Sequence, residues 1–302
     1  MKPAYDNLRR ARPLLGTFVE VGAEGAPQSV MSAAIDAAFT AAAEVHRLMS
    51  FHDAGSDVSR LNREAAVRPV AVHPWTYRVL QAADELNRRS AGAFDIAIAP
   101  ILQALHLLPS TDASGLALQQ PCGGGSIELL PECQVRFHRS IGIDLGGIAK
   151  GFAVDRAIEM LKDRGVPRGV VNAGGDLAVF GSDPGMIHIR DPRDIFRTLC
   201  RVEVQGEALA SSSGTFDPVL QSGPSRPTVI DPRDQEPVTA IIGASVRAPS
   251  CMIADALTKL VIIAGESAAP MLDHYGASAM FVSATGEIHV TGSWREVMHL
   301  AA

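Results

Sequence analysis

Aromatic residues are few in this sequence (5%), no run of Lys or Arg occurs, and the formal net charge at pH 7 is −6. These properties argue against a nucleic-acid-binding protein, which needs basic patches for phosphates and aromatic rings for unpaired bases. Uninterrupted apolar runs are also short, and none approaches the ~18 residues of a membrane-spanning helix. The sequence therefore predicts neither a nucleic-acid partner nor a transmembrane segment.

Cysteine is scarce as well. The four cysteines, Cys122, Cys133, Cys200 and Cys251, lie far apart and form no C-x-x-C pair. Their spacing indicates free thiols in a reducing compartment, although it does not exclude one disulfide. The first residues contain neither an apolar signal core nor a lipobox cysteine. We therefore expect a cytoplasmic protein.

Both helix and strand patterns occur along the 302 residues, a length that suffices for one large domain or two small ones. Alternating apolar residues predict a first strand from Leu14 to Val21 and a closing hairpin from Ala279 to Thr291. Helical spacing predicts a helix over residues 251–264, with Ser250 as its cap and Gly265 as its end. The mixture predicts an α+β fold in which several loops that combine glycine and an acid converge on one cleft.

The stretch from Ile143 to Asp155 has the features of a ligand-binding turn. An apolar, β-branched segment precedes two glycines, and helical spacing follows them. Backbone N–H groups and the dipole at such a helix N-terminus favour an anion, and Asp144 and Lys150 flank the turn. It is neither a Walker A loop, because Gly151 follows the lysine, nor a G-x-G-x-x-G loop. An ordinary strand-to-helix turn with surface charges is the alternative interpretation.

Carboxylates beside a glycine or a strand end occur in four loops, at Asp95, Asp144, Asp176 and Asp231. Taken singly, each is more typical of a cap or turn residue. Together with Lys150 and Asp255 they predict a site for a phosphorylated ligand and a hard cation such as Mg²⁺. A site of this kind suits phosphoryl transfer, in which positioning and charge neutralisation supply most of the catalysis.

Several of these segments, in this order, resemble the FAD:protein FMN transferase (ApbE) family, and the resemblance extends from about Leu14 to Thr291. The segments that carry it are Leu15-Gly16-Thr17, Met49-Ser50, Ser59-Arg60-Leu61-Asn62, Gly92-Ala93-Phe94-Asp95, Asp144-Leu145-Gly146-Gly147-Ile148-Ala149-Lys150-Gly151, Asn172-Ala173-Gly174-Gly175-Asp176, Ile230-Asp231-Pro232 and Ala254-Asp255-Ala256-Leu257. The resemblance implies a mixed-sheet fold with helices packed on the sheets and an FAD cleft lined by the glycine-acid loops.

The implied domain organisation is a single domain over residues 12–302, which two interleaved α/β subdomains could compose, after an N-terminal extension over residues 1–11. Residues 109–126, which are rich in Pro, Ser and Gly, are predicted to form a mobile excursion. The implied reaction moves the FMN half of FAD to a Thr or Ser hydroxyl of an acceptor flavoprotein and releases AMP.

The resemblance also implies roles for individual residues. The implied FAD contacts are Leu15, His52, Ala93, Phe94, Asp95, Asp144, Lys150, Asn172, Gly174, Gly175, Asp176, Val229 and Ile230. The implied Mg²⁺ ligands are the Gly147 carbonyl and the Asp255 carboxylate, with Thr258 as a further candidate. Asp144 and Asp255 are the candidate catalytic residues: Mg²⁺ would neutralise the pyrophosphate, and a carboxylate would orient or deprotonate the acceptor hydroxyl.

This chain departs from the family pattern at four positions. Leu15 replaces a methionine of similar bulk, and His52 replaces a tyrosine while keeping an aromatic ring. Thr228 stands where a histidine usually precedes Ile-Asp-Pro, so a candidate general base is absent. The most serious departure is Lys259, which occupies the position of an expected threonine ligand.

Asp255 and Lys259 are four residues apart on a predicted helix, so the two side chains share a face and can pair. A protonated ammonium group does not ligate Mg²⁺ and repels it. Three outcomes remain open: Lys259 turns away and leaves a weaker metal site, Thr258 partly substitutes, or the ammonium itself stands in for the cation. We expect a metal site retained in modified form.

Two alternatives to the transferase share the same site. One is an FAD-binding protein, acting as a flavin carrier or sensor with little or no catalysis. The other is an FAD pyrophosphatase, in which water replaces the acceptor hydroxyl and the products are FMN and AMP. The departures at Thr228 and Lys259 favour the binding protein, whereas the intact segments around Lys150, Asp176 and Asp255 favour the transferase.

Overall fold

The computed structural model describes residues 7–109, 125–213 and 228–300. In chain order its helices and strands are β1 (Asn7–Leu14), β2 (Thr17–Glu24), α1 (Gln28–Met49), α2 (Asp57–Glu64), β3 (Val70–Ala71), α3 (Pro74–Arg89), α4 (Ala99–Ala104), β4 (Ile127–Leu130), β5 (Gln134–Phe137), α5 (Ala149–Asp163), β6 (Arg168–Ala173), β7 (Asp176–Phe180), β8 (Gly185–Asp191), β9 (Asp194–Val204), β10 (Ala208–Ser213), β11 (Ile241–Ala248), α6 (Cys251–Ala264), α7 (Ala269–His274), β12 (Ser278–Ser283), β13 (Ile288–Val290), α8 (Trp294–Val297) and β14 (Met298–Leu300).

The chain divides into two compact units. The first comprises Met1–Glu44, Lys150–Gly214 and Thr239–Ala302, and the second comprises Val45–Ala149 and Thr215–Val238. The first unit contains an eight-stranded sheet with the order β1-β2-β6-β7-β10-β11-β12-β13 and a three-stranded sheet with the order β14-β9-β8. The second unit contains the three-stranded sheet β3-β5-β4.

Helices α1 and α5 supply one hydrophobic core of the first unit. Ile35 and Phe39 of α1 join Val154 and Leu161 of α5 in a cluster with the buried residues of β2, among them Val21. The two residues are four apart on α1 and seven apart on α5, which places each pair on one face of its helix. Burial of these side chains holds the first turn of α5, where Lys150 lies, in a fixed position relative to the sheet.

Helix α6 begins and ends at the residues that the sequence predicts. The Ser250 hydroxyl accepts a hydrogen bond from the Ile253 N–H, and Gly265 ends the helix with a φ of 56°. A positive φ of this kind favours glycine because it lacks a Cβ atom. The helix packs against β10 and β11, so Asp255 and Thr258 are fully buried.

The N-terminal strand prediction is partly wrong. Instead of one strand from Leu14 to Val21, the chain forms a hairpin of β1 and β2 whose turn residues, Leu15 and Gly16, have φ values of 56° and 71°. Two positive φ values match the two-residue turns whose twist suits a hairpin. Strand β1 contains Arg9, Arg10, Arg12 and Pro13, which are typical of the edge strand that it is. Residues 7–11, assigned to an extension by the sequence, lie in this strand.

The predicted closing hairpin is present as β12 and β13, which pair in antiparallel register from Met280 opposite Val290. A second core cluster brings the sheet β14-β9-β8 together with β7, and its members include Trp294, Cys200 and Met280. Of the sequence features named above, residues 110–124 of the predicted Pro/Ser/Gly-rich excursion lie outside the described residues.

The prediction of an α+β fold with helices packed on sheets is confirmed. The strand pairings of the described chain are antiparallel throughout, whereas we expected a mixed sheet. Several neighbours, such as β6 and β7, are joined by short turns, which only antiparallel strands allow. Among the described residues, no helix has both the length and the apolar character needed to cross a membrane.

Candidate functional site

In the second unit, Asn62 holds the strand end that leads into the central turn. Its side-chain amide donates to the Ile143 carbonyl at 2.9 Å and accepts from the Ile143 N–H at 2.8 Å. The next residue, Asp144, donates its N–H to the Ile96 carbonyl at 2.8 Å and accepts from the Gly146 N–H through Oδ2 at 2.9 Å. Asn62 of the Ser-Arg-Leu-Asn segment is therefore a positioning residue for the Asp144 backbone.

The Asp144 carboxyl lies in an environment that disfavours its charged form. Burial raises its pKa, and the Gly146 N–H and the nearby His52 offset part of that effect. His52 itself is exposed. The side chain of Asp144 thus serves locally as a turn residue, as the alternative interpretation holds, while its raised pKa is a property that a general base can use.

The Gly92–Asp95 loop of the second unit is held from both sides. The Asn87 amide donates to the Phe94 carbonyl at 2.9 Å, and the Ser90 hydroxyl accepts from the Phe94 N–H at 3.0 Å. Asp95 accepts from the Ala97 N–H at 2.8 Å. Ala93 and Phe94 are buried, so this loop is a fixed part of the second unit.

Asp95 gives a testable pH dependence. Burial raises its pKa to about 6, against the effects of the Ala97 N–H, Asn87 and Arg139. The folded chain therefore binds this proton more tightly than the unfolded chain, and the free energy of unfolding falls as pH rises from about 4 to 6. Relative to wild type, Asp95→Asn should gain up to about 3 kcal/mol of unfolding free energy between pH 4 and pH 7.5.

Denaturant unfolding of wild type and Asp95→Asn at the two pH values measures this difference. Asp273→Asn is the matched control, because it removes a carboxylate that is exposed on α7. A difference between wild type and Asp95→Asn that does not change with pH would show that burial does not hold the Asp95 proton.

In the first unit, Lys150 extends from the first turn of α5 and donates a hydrogen bond to Asp176 Oδ2 at the start of β7. The Asp176 side chain is fully buried, whereas the Lys150 side chain is 33% exposed. The buried Asp176 Oδ1 has no hydrogen-bond partner within the part of the chain that the structure describes. Lys150 is therefore the partly exposed member of the pair.

Asp255 on α6 has both carboxylate oxygens engaged. Oδ2 accepts from the Gly151 N–H at 3.0 Å, and Oδ1 accepts from the Lys259 ammonium group. Lys259 Nζ also lies 3.1 Å from the Asp255 carbonyl oxygen. The predicted pairing of these two residues, four apart on one helix, is confirmed.

The charged groups of this cluster shift the pKa values of Asp176, Lys150 and Asp255. Burial and the neighbouring Asp255 raise the Asp176 pKa, and both carboxylates outweigh burial to raise the Lys150 pKa. Burial also acts to raise the Asp255 pKa, but Lys150 and Lys259 reverse it and the net shift is downward. Asp255 is therefore the firmly ionised carboxylate of the pair, and Asp176 is the one that takes up a proton first.

The residues present do not fit a Mg²⁺ ion at Asp255. Both carboxylate oxygens already have cationic or N–H partners, as described above. The Thr258 hydroxyl donates to the Asp255 carbonyl at 2.7 Å and lies 2.7 Å from the Ser212 hydroxyl. No group of three or more His, Cys, Asp or Glu side chains suited to a metal occurs among residues 7–109, 125–213 and 228–300. The predicted ligands Gly147, Asp255 and Thr258 stay predictions that this arrangement does not favour.

The turn between β6 and β7 contains the other predicted contacts of the first unit. Asn172 Oδ1 accepts from the Gly175 N–H at 2.9 Å, and Gly174 and Gly175 have φ values of 66° and 105°. A Cβ atom on Gly174 would lie 2.6 Å from the Thr17 hydroxyl oxygen. Glycine is required here both by the backbone conformation and by the close approach of β2. Leu15 lies in the β1–β2 turn just before that threonine.

At the predicted strand end in the second unit, the Val229 carbonyl accepts from the Val238 N–H at 2.9 Å, and Ile230 pairs with Pro237. The Asp231 carboxylate accepts from the Arg233 guanidinium at 2.6 Å, and this hydrogen bond lowers its pKa. Asp231 is thus a turn residue with a local ion pair.

Sequence analysis missed Asp155 as a structural partner of α6. Its two carboxylate oxygens accept from the N–H groups of Cys251 and Met252 at 2.8 and 3.0 Å. A signal was available: Asp155 is four residues after Gly151, so both lie on one face of α5. On that face of α5, Gly151 has no side chain, and the Asp155 carboxylate caps the N-terminus of α6.

Comparisons with known proteins identify the family to which the chain is similar. The model of the ApbE family matches residues 15–281. A Vibrio cholerae relative named FAD:protein FMN transferase is 26% identical over 236 residues, covering 74% of this chain and 71% of its own. One with the same name from Rhodobacter capsulatus is 29% identical, and the match covers 93% of this chain but 55% of that protein. One from Treponema pallidum is 25% identical, covering 90% of this chain and 83% of its own.

Solved structures of the family share the fold. The ApbE protein of Thermotoga maritima has a TM-score of 0.83 at 24% identity, and the match covers 97% of this chain and 99% of that one. The flavin transferase ApbE of Vibrio cholerae has a TM-score of 0.81 at 22% identity, with the same coverage. With a family match that spans most of its length and both of its units, this chain belongs to the ApbE family.

Proposed function

We propose that this protein transfers the FMN moiety of FAD to a Thr or Ser hydroxyl of an acceptor flavoprotein and releases AMP. The observation that carries the proposal is the family match over residues 15–281, together with relatives that are named FAD:protein FMN transferase. The cluster in which the partly exposed Lys150 and Lys259 are held by the buried Asp176 and Asp255 supports it, because a pyrophosphate substrate needs fixed positive charge.

The proposed reaction is a phosphoryl transfer. The acceptor oxygen attacks the phosphorus of the FMN half, and the bond from that phosphorus to the bridging oxygen breaks. The bridging oxygen leaves with AMP, and the hydroxyl proton leaves through a base to solvent or to the AMP phosphate. Charge accumulates on the phosphate oxygens as the bond breaks, and fixed cations stabilise that charge more in the transition state than in the bound substrate.

Lys150 has the properties that this role requires. It lies in the first turn of α5, where backbone N–H groups and the helix dipole also favour an anion. Its ammonium group is held against a fully buried carboxylate, and its side chain is still partly exposed. We assign Lys150 to the phosphates of FAD, and we assign Asp176 and Asp255 the task of fixing the lysines in place.

The two candidate catalytic residues therefore receive different roles. Asp255 has no free carboxylate oxygen, so we assign it to positioning and not to proton transfer. Asp144 remains the candidate for the proton of the acceptor hydroxyl, since burial raises its pKa toward the range of a general base. Mg²⁺ assistance enters no step, because the Asp255 surroundings do not fit the ion.

The remaining assignments stay predictions. We propose one transferase domain over residues 12–302 that includes both units, because the family match contains segments of each. The predicted FAD contacts in the first unit are Leu15, Lys150, Asn172, Gly174, Gly175 and Asp176. Those in the second unit are His52, Ala93, Phe94, Asp95, Asp144, Val229 and Ile230.

The test measures both products. The full chain is incubated with FAD and with the acceptor protein of the Vibrio cholerae relative. AMP is measured by chromatography and covalent flavin on the acceptor by mass spectrometry. An acceptor whose modified residue is replaced with alanine is the control. We expect AMP and covalent flavin in equal amounts with the intact acceptor, and neither product above background with the control.

The alternatives predict different products. AMP together with free FMN, formed equally well without an acceptor, would identify an FAD pyrophosphatase. FAD that is bound tightly and never yields AMP would identify a binding protein. Either result would contradict the transferase.

A further inference from the structure

The position of Lys259 bears directly on whether a divalent metal ion can bind at Asp255. Its ammonium group contacts Asp255 twice, at the carboxylate Oδ1 and at the carbonyl oxygen. Its side chain is 20% exposed, whereas the Asp255 side chain is fully buried. Of this pair, the lysine side chain is thus partly accessible to solvent and the carboxylate is not.

The charges leave no requirement for a further cation. Asp176 and Asp255 contribute two negative charges, and Lys150 and Lys259 contribute two positive ones, so the cluster is neutral when all four are ionised. A divalent ion would make it positive by two and would lie close to two ammonium groups. Repulsion between such charges grows steeply in a poorly solvated site. Metal binding would thus require Lys259 to leave Asp255.

Separating Lys259 from Asp255 costs free energy, because a fully buried carboxylate that loses its partner is destabilised. The Thr258 hydroxyl, further along α6, is fully buried and engaged with the Asp255 carbonyl and the Ser212 hydroxyl. The Asp255 Oδ2 atom is engaged with the Gly151 N–H. At Asp255 and Thr258 a metal ion would find neither a carboxylate oxygen nor a hydroxyl that lacks a hydrogen-bond partner, and the one unpartnered carboxylate oxygen of the described cluster, Asp176 Oδ1, is buried.

We infer that the Lys259 ammonium group is a built-in cation that takes the place of a divalent metal at Asp255, so that the site binds no metal and works without one. The part about catalysis rests on the proposed function, whereas the part about metal exclusion does not. In the reaction, the ammonium group would neutralise charge on the pyrophosphate and on the departing AMP. No proton transfer from Lys259 is needed.

Two variants of Lys259 distinguish the effect of its positive charge from the effect of a metal ligand at the same position. Lys259→Met removes the ammonium group and adds no ligand, whereas Lys259→Thr removes it and supplies the hydroxyl that the family pattern expects. Lys162→Met is the control, because Lys162 is an exposed lysine in the last turn of α5. Binding of Mn²⁺, used alone as a spectroscopic probe for Mg²⁺, is measured by electron paramagnetic resonance on the full-length proteins.

The proteins are expected to differ in their binding of Mn²⁺. Wild type and Lys162→Met show no stoichiometric Mn²⁺ site, and Lys259→Thr binds Mn²⁺ at least about tenfold more tightly than wild type. In the activity assay, AMP release by wild type is the same with Mg²⁺ and with EDTA. Lys259→Met loses about 100-fold under both conditions, and Lys259→Thr recovers activity with Mg²⁺ alone.

Other outcomes would overturn the inference. Stoichiometric Mn²⁺ binding by wild type would do so, as would loss of wild-type AMP release in EDTA. Both are wild-type measurements, so they decide the question even where a variant fails to fold. If wild type binds no Mn²⁺ and releases no AMP under any condition, the proposed function fails while metal exclusion stands.

Discussion

Replacing Lys150 with methionine is expected to lower AMP release from FAD by at least about 100-fold. Methionine keeps most of the side-chain volume but removes the ammonium group that we assign to the phosphates. It also leaves the fully buried Asp176 without its ionic partner, which should lower the free energy of unfolding by about 3 kcal/mol. A loss of activity in Lys150→Met alone would therefore not distinguish a catalytic role of Lys150 from a stabilising one.

The double variant Lys150→Met/Asp176→Asn makes that separation. It removes both charges, so no unpaired carboxylate remains and most of the lost stability should return. Activity should stay low, because the phosphates still lack their cation. Denaturant unfolding and AMP release measured on wild type, both single variants and the double variant form a complete cycle. Recovery of activity along with stability would mean that Lys150 has only a structural role.

Local sequence patterns predicted the elements whose signals are complete within a few residues. Helix α6 has a serine cap, an apolar face and a terminal glycine, and its observed bounds are Cys251–Ala264, as predicted. The Asp255–Lys259 pair followed from the same periodicity, since residues four apart meet on a helix. In each case, the interacting groups are close together in the sequence.

Local sequence patterns did not predict contacts between segments that are far apart in the sequence. Lys150 pairs with Asp176, 26 residues later, although Asp144 is the nearer carboxylate in the sequence. Asn62 reaches across 81 residues to Ile143. Strand β1 was missed because an edge strand can be rich in arginine and does not need the alternation of a buried strand. Composition and periodicity contain no information about which segments become neighbours in a sheet or at a helix crossing.

Gly151 shows how such a crossing constrains the site, and Gly151→Ala is expected to destabilise the protein by about 3 kcal/mol or more. A Cβ atom at this position would lie 2.2 Å from the Cys251 carbonyl oxygen and 2.8 Å from the Asp255 Cβ atom. Helix propensity acts in the opposite direction, since alanine is better than glycine in a helix by about 1 kcal/mol. The clash is the larger effect, because its nearest partner is backbone and no side-chain rotation relieves it.

The melting temperature should therefore fall by roughly 6–12 °C, which scanning calorimetry can measure. Gly55→Ala is the matched control: a Cβ atom there meets only the exposed Asp53 carboxylate, at 3.3 Å, so its stability should change by less than about 1 kcal/mol. Because the Gly151 N–H also donates to Asp255, separation of α5 from α6 should reduce AMP release even where the variant remains folded. A Gly151→Ala protein that melts at the wild-type temperature with full activity would show that the two helices are not held at this distance.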